Sequence, residues 1–239
     1  MSSYWRCKTR DRLNVAISLY VINSGPSSAA ENMAMDEALL QAMPRLEIPI
    51  LRFYGWTEKA ASFGYFQRFA EVERWTLLRP LVRRPTGGGL VPHDSDWTYS
   101  LAFPAPHPWY HLRAAESYRH AHEWIQAAFA RLNVPTQLAR SAHHAEPGQC
   151  FVGHEVSDVL WKGRKLAGAA QRRTKAGLLI QGSVQPLPSP LQRLEWEAAM
   201  LEVSPLGAAS QLVPDEPLLD VLDRLAREKY SRAEYNRKR

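Results

Sequence analysis

The spacing of apolar residues changes period several times along the chain. Tyr118, Ala121, Ile125, Ala128 and Leu132 recur at intervals of three and four. That period lays one apolar stripe along a helix, so Arg113 to Leu132 is predicted to be helical with its stripe in the core. Thr98 to Phe103 alternates instead, the period of a strand. Val15 to Ile22 is a Val-, Ile- and Leu-rich run that reads as a strand, and Ile50 to Tyr54 as a short one. Ala61 to Tyr65 reads as another, ending near Gly64. Ser24-Gly25-Pro26 reads as a turn. Ser28 with Glu31 three residues later fits a capping box, opening a helix to about Gln41.

Further on, Leu81 to Arg84 is apolar, then basic, and runs into Pro85-Thr86-Gly87-Gly88-Gly89. Val156 to Trp161, Lys165 to Arg172 and Leu178 to Val184 read as three strands joined by turns at Lys162-Gly163 and Lys175-Ala176-Gly177. Pro186 to Pro190 is a linker. Two helices follow, about Leu191 to Leu201 and Pro217 to Tyr230. Strands and helices mix without strict alternation. This predicts an α+β fold with a mixed, largely antiparallel central sheet flanked by helices. We expect one catalytic domain over residues 1–239, with a core at about 15–186 and a C-terminal helical segment at about 190–239.

The composition, 45% hydrophobic and 23% charged over 239 residues, is that of a globular chain. No apolar run reaches the ~18 residues of a membrane span, and the polar stretch Met1 to Arg12 has no apolar core of a secretory signal. Cys7 and Cys150 are the only cysteines. Two widely spaced cysteines do not make a disulfide framework, so a reducing cytoplasmic compartment is expected. Cys7 has no arguable role. The net charge of +6 favours acidic partners. No nucleic-acid-binding motif accompanies it, which leaves acidic proteins, or a mildly basic surface with no partner behind its charge. The most basic stretch, Arg224 to Arg239, reads as a solvated end.

Three segments carry chemistry. The run Gly87-Gly88-Gly89 allows φ > 0 and leaves no Cβ in the way, so a ligand can lie directly on the backbone and its N–H groups. A flexible hairpin would account for the same run. It lacks both the Walker and the dinucleotide spacing. His93 and Asp94 beside it either orient one another or cap a turn, although sequence neighbours usually point apart. Cys150 closes a polar loop and precedes strands bearing Lys162, Arg164, Lys165, Arg172 and Arg173. Nearby cations raise a thiolate fraction, and a thiolate exchanges one thioester for another at little cost. A small buried hydrophobe is its other reading. Ala167, Gly168, Ala169 and Ala170 leave room for a chain-like ligand along their strand, where Lys165 would polarise a carbonyl or hold the thiolate, a surface lysine of a hairpin being its other reading. Asp36 reads as a solvated helix residue. No metal site is evident.

These segments together resemble a known superfamily over about Asn32 to Gln185. Asn32-Met33-Ala34-Met35-Asp36-Glu37-Ala38-Leu39-Leu40 looks like its opening helix. Leu51-Arg52-Phe53-Tyr54-Gly55-Trp56 with Ser62-Phe63-Gly64-Tyr65-Phe66-Gln67 is similar to its next segment. Arg83-Arg84-Pro85-Thr86-Gly87-Gly88-Gly89-Leu90-Val91-Pro92-His93-Asp94 and Gly163-Arg164-Lys165-Leu166-Ala167-Gly168-Ala169-Ala170-Gln171 are similar to its two signatures. Thr98-Tyr99-Ser100 and Gln181-Gly182-Ser183 match the strands after them. The superfamily is that of lipoate–protein ligase A, octanoyltransferases and biotin–protein ligases. It implies that Arg84, Thr86, Gly87, Gly88, Gly89, His93, Asp94, Gly168, Ala169 and Ala170 bind an acyl group, with Lys165 at its carbonyl.

Two chemistries compete within the superfamily. Ligases activate free lipoate with ATP and Mg²⁺. Octanoyltransferases take the acyl group from acyl carrier protein, through a cysteine and without a cofactor, to a lysine of a lipoyl domain or glycine-cleavage H protein. Cys150-Phe151, fifteen residues before Lys165, is similar to one octanoyltransferase branch, with Cys150 as nucleophile. An amidotransferase between lipoyl-accepting proteins would also fit these motifs, as would a lipoyl- or acyl-binding protein without turnover. Many ligases also carry a further C-terminal domain, whereas about fifty residues follow Pro190 here. Pro92, His154-Glu155 and Ile180 depart from the family pattern, which bears on chain length and acceptor choice.

Overall fold

The computed structural model describes residues 18–143 and 153–239. Its centre is an eight-stranded sheet. Strand β1 (Leu19–Ser27) is joined by helix α1 (Ala29–Leu46) to β2 (Ile50–Trp56), which pairs parallel with it. Next come β3 (Ala60–Phe63), α2 (Phe69–Trp75), β4 (Leu81–Arg83) and β5 (Val91–His93). β6 (Trp97–Pro104) returns to the main sheet, followed by α3 (Pro108–His111), α4 (Ala114–Arg131) and β7 (Gln137–Leu138). The hairpins β8 (Val159–Trp161), β9 (Arg164–Thr174) and β10 (Gly177–Val184) precede α5 (Arg193–Glu202), β11 (Ala209–Gln211), α6 (Glu216–Leu225) and α7 (Ala233–Asn236). The sheet order is β11-β1-β2-β6-β10-β9-β8-β7, parallel at the β11-β1-β2 edge and antiparallel elsewhere. The expected α+β fold with a mixed sheet is the fold found.

Local chemistry explains several boundaries. The Ser28 hydroxyl accepts from Glu31 N–H and the Glu31 carboxylate accepts from Ser28 N–H, the predicted box, and α1 runs on to Leu46. Lys162 and Gly163 sit at φ 50° and 75°, the left-handed pair that a tight β8–β9 hairpin requires. Ser24-Gly25-Pro26 is not a turn. It is an irregularity inside β1, where the register with β2 shifts between Asn23 and Pro26, and Gly25 takes φ 64°. Parallel pairing to β2 carries the chain straight through.

One sheet face packs on α4 and α5. There Trp196 is edge-on to Phe53 at 5.5 Å and stacks on Trp97 at 5.6 Å, beside the Ile125, Ala128 and Leu178 cluster. This is the core that the α4 stripe predicted. The other face is covered by α1 and by a three-stranded sheet, β4-β3-β5. The β6 alternation follows from this division. Tyr99, Leu101 and Phe103 enter the α4–α5 core, while Thr98 and Ser100 point to the α1 face. Every residue of β6 and β10 is nonetheless buried, so their polar positions lie inside the molecule.

The basic end also differs from expectation. Tyr230 is buried, and Asn236 holds the strand that leads into the glycine run. Arg83 N–H donates to Asn236 Oδ1 at 2.8 Å, and Arg83 Nη2 donates to its carbonyl at 2.9 Å. Buried backbone and guanidinium donors need acceptors, and this segment supplies them. No helix among the described residues is long and apolar enough to cross a membrane.

Candidate active site

A cavity lies between α1, β2, the small sheet and the β9–β10 pair. Gly168, Ala169 and Ala170 of β9 and Gly182 of β10 line it, opposite Met33, Tyr54 and Trp56. The small residues make the space. At Gly168 a Cβ would overlap the Lys165 Cε, so the glycine leaves that lysine room to lie across the strand.

Asp36 of α1 is fully buried rather than solvated, because α1 covers the sheet. Its carboxylate accepts from Arg52 Nη1 (2.7 Å), Ser100 Oγ (2.7 Å), Tyr54 Oη (2.9 Å) and Gln181 Nε2 (2.7 Å). Arg52 further donates to Asn32 Oδ1 at 2.8 Å and lies 4.0 Å over the Tyr54 ring. Burial, then the Asp36 charge, pushes the Tyr54 hydroxyl far above its ordinary pKa, so it stays a donor. Gln181 Oε1 accepts from Thr86 Oγ1 at 2.8 Å and ties this hub to the glycine run.

His93 does not pair with Asp94. Asp94 is exposed, and among the described residues no hydrogen bond to its side chain is present. The partner of His93 is Asp96, with Nδ1 2.9 Å from Oδ2. Successive residues along an extended chain point to opposite sides, as the Asp94 placement shows. His93 Nε2 lies 2.8 Å from Ser62 Oγ, and the ring stacks on Trp56 with centroids 3.8 Å apart. Asp96 also accepts from Ser183 and Thr98 hydroxyls at 2.7 and 2.9 Å. Burial works against its charge, but His93 and those hydroxyls hold its carboxyl below the usual range.

Lys165 brings an ammonium to the cavity. Its ammonium lies 2.8 Å from Asp158 Oδ2, and its side chain is 7% exposed. Asp158 also accepts from Tyr118 Oη of α4 and from Glu155 N–H (2.7 Å). Burial and Asp158 raise the Tyr118 pKa, keeping that hydroxyl protonated. His122 packs edge-on to Tyr118 at 4.2 Å, with Nδ1 2.6 Å from Ser157 O. Burial lowers the His122 pKa from 6.5 to about 4, against the pull of Asp158. A depressed value means that the unfolded chain takes up a proton first as pH falls. Stability from this histidine is therefore full above pH 6.5 and lost toward pH 4, by about 3 kcal/mol. Denaturant unfolding from pH 7 to 4 is expected to show this slope, and His122→Gln to flatten it.

The glycine run borders the cavity through Arg84. Arg84 Nη2 donates to Gly87 O (2.6 Å) and Gly89 O (2.7 Å), and the guanidinium itself lines the cavity. Gly88 takes φ 81°, and its carbonyl sits so close to Gly64 that a Cβ there would collide with it. The run is thus a braced loop with its carbonyls turned onto Arg84.

Of the residues singled out from sequence, Arg84, His93, Lys165, Gly168, Ala169 and Ala170 meet at the cavity. Thr86 and Gly87 to Gly89 connect to it through Gln181 and Arg84, and Asp94 does not take part. Cys150 and Cys7 lie outside the described residues. The segment holding Cys150 is flanked by His143 and His154, whose backbones pair in both directions at 2.8 Å. Ser62, Asp96 and Asp158 were given no chemical role from sequence, and Tyr118 only a place in the apolar stripe of α4. The available signal was Ser62 inside the apolar β3 and an aspartate directly before an apolar strand, Asp96 before β6 and Asp158 before β8. Among the described residues no group of three or more His, Cys, Asp or Glu side chains is arranged to hold a metal.

The sequence model of the lipoyl protein ligase A/B catalytic domain matches residues 28–185, the stretch that builds this cavity. The chain belongs to that family. Octanoyltransferase LipM of Bacillus subtilis is 37% identical over 178 residues, covering 68% of this chain. The chain spans 63% of the length of that relative. A protein of T. acidophilum solved with bound lipoic acid superposes with a TM-score of 0.76 at 20% identity, over 93% of this chain and 99% of its own. The bipartite lipoate protein ligase described with its E2 lipoyl domain from Thermoplasma acidophilum gives a TM-score of 0.67 at 19% identity, over 92% of this chain and 96% of its own. Both share the family fold.

Proposed function

We propose that this chain is an octanoyltransferase, a single catalytic domain that moves an octanoyl group from acyl carrier protein to a protein lysine through a thioester on Cys150. The observation that carries the reading is the small-residue cavity with the Lys165 ammonium held at its wall by Asp158. The similarity to LipM supports the same acyl group. In the first step the Cys150 thiolate attacks the donor carbonyl. A carbon–sulfur bond to Cys150 forms, the carbon–sulfur bond of the donor breaks, and the carrier leaves as its thiolate. In the second step the neutral amine of the acceptor lysine attacks, the carbon–sulfur bond to Cys150 breaks, an amide forms, and the surplus proton of the amine passes to the leaving Cys150 sulfur. Both tetrahedral intermediates carry an oxyanion, which Lys165 stabilises. Arg84, His93, Gly168, Ala169 and Ala170 hold the acyl chain, with Thr86 and Gly87 to Gly89 bracing Arg84. Thioester to amide runs downhill, so the reaction requires neither ATP nor metal. The acceptor is a lipoyl domain or glycine-cleavage H protein, in the cytoplasm.

Intact-protein mass spectrometry after mixing with octanoyl–acyl carrier protein, without ATP, tests this directly. The unaltered chain is expected to gain one hydroxylamine-labile octanoyl group, and Cys150→Ala none. No adduct on either, together with turnover of free lipoate with ATP and Mg²⁺, would replace the transferase by a ligase.

A further inference from the structure

Gly168, Ala170 and Arg172 alternate along β9 and so face one side of the sheet. The first two line the cavity, and Arg172, two residues beyond Ala170, reaches the start of the glycine run, where Nη1 donates to Pro85 O at 3.3 Å. Its guanidinium carbon lies 5.5 Å from the centre of the Tyr65 ring. The C-terminal segment closes on the same ring. Lys238 Nζ is 4.0 Å and the Arg239 guanidinium carbon 5.5 Å from its centre. Phe69 N–H donates to Arg239 O at 2.9 Å and fixes that end. A hydrogen bond from Lys238, and its charge, hold the Tyr65 hydroxyl below its ordinary pKa.

Neighbouring cations are compensated, Arg68 by Glu71 at 3.8 Å and Arg237 by Glu73 at 4.0 Å. Among the described residues Arg172, Lys238 and Arg239 have no carboxylate within 4.0 Å. Three like charges gathered on one ring without a counterion form a site for an anion. Phe66, 71% exposed and edge-on to Tyr65 at 5.2 Å, adds an apolar contact beside them.

We infer that this patch docks the acyl donor, an acidic carrier protein whose acyl chain hangs on a phosphodiester-linked arm. The inference rests on the transferase reading. A guanidinium fork with an ammonium suits a phosphate, and the arm beyond it enters the adjacent cavity toward Lys165. The acceptor lysine bears no phosphate, so the patch serves the donor.

Initial rates with the full chain test it, using octanoyl–carrier protein and octanoyl-pantetheine, which lacks both phosphate and protein. Arg172→Gln and Lys238→Gln are each expected to raise KM for octanoyl–carrier protein about tenfold. Their kcat, the KM for the acceptor and the rate with octanoyl-pantetheine stay unchanged. Lys238→Gln removes no contact to a backbone carbonyl, so it decides the matter if Arg172→Gln disturbs Pro85. An unchanged carrier KM in both overturns the inference. So does a rise confined to the acceptor KM, or an equal loss with octanoyl-pantetheine, which would mark a role in shaping the cavity. If the unaltered chain accepts nothing from the carrier, the transferase reading itself falls, and the docking site with it.

Discussion

Asp36→Ala is expected to destabilise the fold by about 3–5 kcal/mol, because it strands a buried guanidinium. Arg52 is 1% exposed and pairs with Asp36 at 2.7 Å. Without the carboxylate, its charge stays in the interior with only Asn32 and Ser24 as acceptors. Tyr54, Ser100 and Gln181 lose an acceptor as well, and each unsatisfied donor adds about 1–3 kcal/mol unless it finds water. Asp36→Asn keeps the shape and an acceptor oxygen, so its loss is expected to be smaller. Urea midpoints of the two variants measure the difference. A loss under about 1 kcal/mol for Asp36→Ala would mean that the hub is not what holds α1 to the sheet.

Lys165→Ala is expected to slow octanoyl transfer by about 10²–10³-fold, the usual cost of one oxyanion donor. The lysine lies across Gly168 and is drawn to Asp158, so its ammonium has a defined position when the carbonyl arrives. Lys165→Arg is not expected to restore the rate, because a planar fork does not fit the space over Gly168. Removing the cation also leaves Asp158 buried, so rates are compared per folded molecule. Asp158→Asn keeps Lys165 but loosens it, and an intermediate rate is expected. Wild-type single-turnover rates in Lys165→Ala would exclude the lysine from the chemistry.

Much of the fold was legible where the cause was local. The Ser28–Glu31 box, the Lys162-Gly163 hairpin and the α4 stripe each depend on residues within a few positions of one another. The site was half legible. Arg84, Lys165 and the β9 small residues were read from motifs, and they meet at one cavity. The pairing of His93 was not, since it depends on where a bend between β5 and β6 places Asp96 rather than Asp94. The short strand β5 carries only three residues and no periodicity to read. Ser24-Gly25-Pro26 misled because its residues suit a turn, and only the pairing with β2 on both sides of the irregularity keeps the chain in one strand.

The sequence by itself determined the longer helices, the central strands, the α1 cap and the two β8–β9–β10 hairpins, and a set of small and basic residues suited to an acyl group. Only the tertiary structure decided which polar residues are inside. Thr98, Ser100, Gln181 and Ser183 alternate as a solvent face would, yet α1 and the β4-β3-β5 sheet bury them. Their partners lie far along the chain, as with Gln181 and Asp36, 145 positions apart. The basic end likewise becomes part of the molecule only through Asn236 and Arg83, 153 positions apart. Contacts of that range depend on how separate elements pack, and no local pattern of residues records them.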